Sequence, residues 1–170
     1  MSSQRLAEYA YDMILDLIKT EIPGALLDVR TDRVDAKIST EIPKSYFKYQ
    51  KAQSYQTPAI FIIIRHIKLQ NVENGANFIA AQSDIGVSVL VEDRTLDNLV
   101  LKAWRYQAAL HKILHETSLT SSDTTVKLVI KVDDILFSPE FSKSDNPNVP
   151  DGVFRKEVLL NLEVEHWENL

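Results

Sequence analysis

The amino-acid sequence predicts an α+β fold, a mostly antiparallel sheet with two helices packed on one of its faces. Three observations carry this. Apolar residues recur at three- and four-residue spacing in two separate segments, the signature of amphipathic helices. Long stretches outside them alternate apolar and polar residues with the period of a strand. The order is helix, hairpin, helix, then two strands, which lets both helix stripes cover the apolar face of one sheet. The 170 residues carry no repeat and no linker, so residues 1–170 are expected to form one domain.

Leu6, Tyr9 or Ala10, Met13, Ile14, Leu17 and Ile18 mark the first helix over 3–19. Ser2 or Ser3 can cap it, and Pro23–Gly24 is expected to stop it. Weak strands are expected near 26–30 and 36–42. Residues 43–58, "PKSYFKYQKAQSYQTP", show no period, are bounded by prolines and hold lysines but no acid. They read as a long flexible arm. Its aromatics Tyr46, Phe47, Tyr49 and Tyr55 either fold back on their own core or order against a partner, since aromatic anchors favour interfaces.

"PAIFIIIRHIKLQ" is apolar on both faces and reads as a central or covered strand. "NVENGAN" is a hairpin tip with the Asn74–Gly75 turn signal. In the returning strand, "FIAAQSDIGVSVLVE", Ile85, Val87, Val89 and Val91 share one face and Asp84, Gly86 and Ser88 the other. The second helix runs over 95–116, with Thr95 or Asp93 as cap and Asp97 in its first turn. Leu96, Leu99, Val100, Ala103, Leu110, Ile113 and Leu114 form its core stripe. In "TVKLVIKVDDILF", Val126, Leu128, Ile130 and Val132 point inward. "SPEFSKSDNPNVPDG", residues 138–152, reads as a long mobile loop. In the last strand Phe154, Val158, Leu160, Leu162 and Val164 face in, while Arg155, Glu157, Asn161, Glu163 and Glu165 face out.

Little in the chain points to chemistry. There are no cysteines, which excludes disulfides and thiolate metal sites. Gly24, Gly75, Gly86 and Gly152 are the only glycines, so the common phosphate-binding loops are absent. His111 and His115 are spaced to share a metal, but no HExxH pattern accompanies them and a third ligand is missing. They share a helix flank with Trp104 and Asp97, which reads as a second packing face, so neither metal nor cofactor is expected. Asp133 and Asp134 are neighbours on a strand and point to opposite faces. The net charge of −5 argues against gripping nucleic acid through its phosphates. Acids interrupt the apolar pattern of the first 20 residues, and "AIFIII" is the longest pure apolar run. A soluble cytoplasmic chain without signal peptide or membrane span is therefore expected.

The segments "VLVEDRTLDNLVLKAWRYQAALHKIL", "VKLVIKVDDILFSPEF" and "FRKEVLLNLEVEHWE", with a leading helix and a hairpin, resemble the tail-terminator (tail-completion) proteins of tailed bacteriophages. The likeness lies in element order and in a strand leading to a helix with Trp104, Tyr106, Ala109 and Leu110; it covers roughly 59–167 and the first helix by position. The resemblance implies a non-enzymatic virion assembly protein, built in the host cytoplasm and resident at the head–tail interface. It implies a self-assembled ring, in that family a hexamer, that caps the tail tube protein and offers a surface to the head-completion or connector protein. DNA would pass through its lumen without specific binding. On this reading the partner-binding residues are Tyr46, Phe47, Tyr49 and Tyr55 of the arm and Trp104, with the 138–152 loop as a further contact. The alternative is a small ligand-binding or enzymatic α+β domain with its site near His111, His115 and Glu163.

Overall fold

The computed structural model describes residues 3–33, 41–49, 56–70 and 78–169. It is an α+β fold. In chain order the elements are α1 (Ser3–Asp32), β1 (Ser45–Phe47), β2 (Ala59–Leu69), β3 (Phe78–Asp93), α2 (Leu96–Leu114), β4 (Thr117–Thr120), β5 (Val126–Phe137) and β6 (Phe154–Asn169). The strands form one curled six-stranded sheet in the order β1-β2-β3-β6-β5-β4. Every pairing is antiparallel except β1 with β2.

The long strands carry the alternation read from the sequence. On β6, Val158, Leu160, Leu162 and Val164 are buried in the main core, beside Ile85, Val87, Val89 and Val91 of β3 and Val126, Leu128, Ile130 and Val132 of β5. Both helices lie on that face: Ile14, Ile18 and Ile22 of α1 and Leu99, Ala103, Leu110 and Leu114 of α2 join the same cluster. Each fully buried aliphatic side chain contributes roughly 1.5–3 kcal/mol by leaving water, so the core accounts for the two-layer arrangement without any single decisive contact.

Several local readings need correction. α1 does not stop at Pro23–Gly24 but continues to Asp32. Proline removes one helical hydrogen bond, yet the buried stripe runs on through Ile22, Ala25 and Leu26. Lys112 of α2 also meets Asp28 at 2.6 Å. Tertiary packing outweighs the local break, and the strand expected at 26–30 is helix. Of the strand expected at 36–42, residues 36–40 lie outside the described residues, and Glu41–Ile42 are not strand. The hairpin tip at 71–77 also lies outside them.

The first part of the 43–58 arm is not free. Residues 45–47 form β1, parallel to the start of β2. Tyr46 packs on the main core and Phe47 stacks on Phe61 at 5.4 Å between ring centroids. The 138–152 loop is likewise pinned. Phe141 forms a bridge with Arg155, Val149 is buried, and Lys156 Nζ donates to Ser138 O at 2.6 Å and to Glu140 at 2.7 Å. On α2, Leu96 is exposed rather than inward, whereas Arg105, Tyr106 and Ala109 are buried. β4 was not expected: four residues are too few to show a period.

Candidate functional site

His111 and His115 stack on each other with ring centroids 4.7 Å apart. His115 Nδ1 accepts a hydrogen bond from the Val132 backbone N–H at 3.3 Å. β4 pairs with β5 only as far as Ile130, so the imidazole takes the place of the next ladder partner. A bare edge N–H would invite another strand, and His115 blunts it. Asp134 does the same next door, its carboxylate accepting from the Ile135 N–H at 2.8 Å. Glu163 sits on the opposite side of the sheet, where its carboxylate accepts a hydrogen bond from Gln82. The sheet therefore lies between the histidine pair and Glu163, and the three do not converge. Among the described residues no group of three or more His, Asp or Glu is placed to hold a metal.

The uncovered face of the sheet is polar at one end. Arg65 lies across it and donates to Asn161 Oδ1 at 2.6 Å. The guanidinium lies close over Gly86, where a Cβ would stand 2.7 Å from it and the exposed Arg65 side chain would have to shift. At the other end Ala59, Phe61 and Leu90 make a small second core, capped by Phe47, Ile63 and Phe141. A polar cavity of about 150 Å³ lies where α2 meets the starts of β1 and β2. Its charges are already matched: Lys44 with Glu41 at 2.6 Å, Lys102 with Asp93 at 2.7 Å and Arg155 with Glu92 at 3.1 Å. The Tyr106 hydroxyl donates to Glu41 O, and burial raises its pKa. The charged side chains that line this cavity are thus paired with one another or with their neighbours.

What stands out instead is surface. Tyr49 is 60% exposed and Trp104 53%. Trp104 lines a shallow groove with Val29, Arg33 and Leu101 between the two helices. Of the residues expected to bind partners, Tyr49 and Trp104 are thus presented outward. Tyr46 and Phe47 are half-buried against their own sheet, and Tyr55 lies outside the described residues. A second groove, of about 450 Å³, runs between α1 and β4. Met13, Leu17 and Leu119 form its floor and Asp12, Asp16 and Glu21 its rim. Sequence reasoning missed it because its two walls are far apart in the chain.

No protein-family profile matches the chain, and no curated protein matches it. No helix among the described residues is long and apolar enough to cross a membrane. Among solved structures the chain is similar to one described as the virion of a native gene transfer agent particle, with 12% sequence identity and a TM-score of 0.34 over 87% of this chain and 94% of that one.

Proposed function

We propose that this chain is a non-enzymatic virion assembly protein that forms a ring, caps a tail tube and presents the surface to which the head joins. The reading draws on the resemblance of residues 59–167 to tail terminators. The observation that carries it is the outward presentation of Trp104 and Tyr49. Large exposed aromatics are the residue types that anchor interfaces. The reading assigns no reaction and no cofactor. Partners are further copies of the chain, the tube protein beneath and the head-completion or connector protein above.

Removing the gene from the particle that encodes it tests this. Unjoined heads beside tails of irregular length are expected. Particles that still join heads to tails of normal length would refute it.

A further inference from the structure

We infer that the acidic groove between α1 and β4 receives the basic Lys48–Tyr49 corner of a second copy, so that neighbouring subunits join head to tail. This rests on the ring reading above and names the contact that would build the ring.

The two surfaces lie on opposite flanks of α1. On one flank, β1 and the residues after it pack against the helix. Lys48 Nζ sits 4.6 Å from the Tyr11 ring centroid, and Lys19 Nζ sits 5.1 Å from that of Tyr46. On the other flank, the Tyr9 hydroxyl donates to Asp123 in the turn after β4 at 3.3 Å. β1 and β4 are also the two edges of the sheet. The corner and the groove therefore cannot meet within one molecule by a small shift, but they can meet between molecules. A contact joining two different surfaces repeats from copy to copy and closes into a ring when its rotation allows.

The chemistry of the two surfaces is complementary. The groove offers an apolar floor and three carboxylates, and among the described residues Asp12, Asp16 and Glu21 make no ion pair. The corner offers an exposed phenol and an exposed ammonium, in a segment, 43–58, that carries lysines but no acid on an acidic chain. Tyr49 would cover Met13, Leu17 and Leu119, its ring supplying buried area at low entropic cost. Lys48 would face Asp16 and its neighbours, which fixes register and steers encounter. A second copy is favoured over a foreign basic segment because donor and acceptor are both present on every copy.

Two exposed charge reversals in the full chain test this, read by sedimentation, with circular dichroism to confirm folding. Lys48→Glu and Asp16→Lys should each weaken self-association by about tenfold or more. The double variant K48E/D16K should recover it. So should an equimolar mixture of the two single variants, because each contact then again joins opposite charges. A merely structural defect would not be rescued by mixing. If wild type assembles and the single variants assemble equally well, or fail without rescue, this contact is wrong while the ring reading stands. If the wild-type chain never self-associates, both fall.

Discussion

At the scale of single residues, two histidines do structural work that their spacing alone suggested could be chemical. His115 caps the edge of β5 through Val132. His115→Ala should cost about 1–2 kcal/mol, the usual price of a lost hydrogen bond at a half-buried amide. Trp104→Ala should cost the isolated chain less than the roughly 3–5 kcal/mol of a buried Trp, because half of the indole is already in water. Stability does not separate the two substitutions; assembly does, and Trp104→Ala alone should reduce it. Denaturant titration beside sedimentation reads both effects, and equal assembly of the two variants would count against the exposed indole as an anchor. His166 is fully buried, and among the described residues neither ring nitrogen has a hydrogen-bond partner. Burial lowers its pKa from 6.5 to about 4. The folded state thus binds fewer protons than the unfolded chain between those values, so stability falls as pH drops from about 6.5 to about 4. The loss attributable to this group is about 3 kcal/mol. His166→Leu should flatten the pH dependence in that window, and an unchanged acid limb would show that the imidazole is hydrated in solution.

At the scale of elements, α1 shows where local signals and packing compete. Pro23 and Gly24 are exposed in its interior, and a Cβ at Gly24 would meet nothing within 4 Å. Both residues weaken the helix without packing in return. Gly24→Ala should therefore stabilise the protein by about 1 kcal/mol, and Pro23→Ala by about 1–3 kcal/mol. Thermal melts showing no gain, or a loss, for both would mean that the helix ends where its sequence says it should. The elements that were legible are those long enough to repeat a pattern. β3, β5 and β6 keep their period-two alternation through the buried sets of Val87, Ile130 and Leu160, and α2 keeps its stripe through Leu99, Ala103 and Leu110. β1 and β4 were not legible, because so short a strand is held by its partner and not by its own pattern. The 138–152 loop looked free because its anchors are tertiary: Phe141 on Arg155, and Lys156 on Ser138 and Glu140.

At the scale of the whole molecule, the two-layer architecture followed from element order, while half of the candidate site did not. The aromatic corner announced itself as tyrosines among lysines. The groove did not, since Asp16 and Leu17 join Leu119 only when the curled sheet brings β4 against α1. Such surfaces arise from topology, and a one-dimensional pattern does not contain them. On the β4 side of the sheet, the part of β5 that runs past β4 is blunted by His115 and Asp134, which disfavours an added strand there. In the proposed ring, the flanks of α1 and Trp104 would carry the contacts between copies. Electron microscopy of the purified full chain, with native mass spectrometry on the same sample, tests the central claim most directly. The account predicts closed rings with an open channel and a mass that is one fixed multiple of the chain. A single monomeric species at every concentration would contradict it.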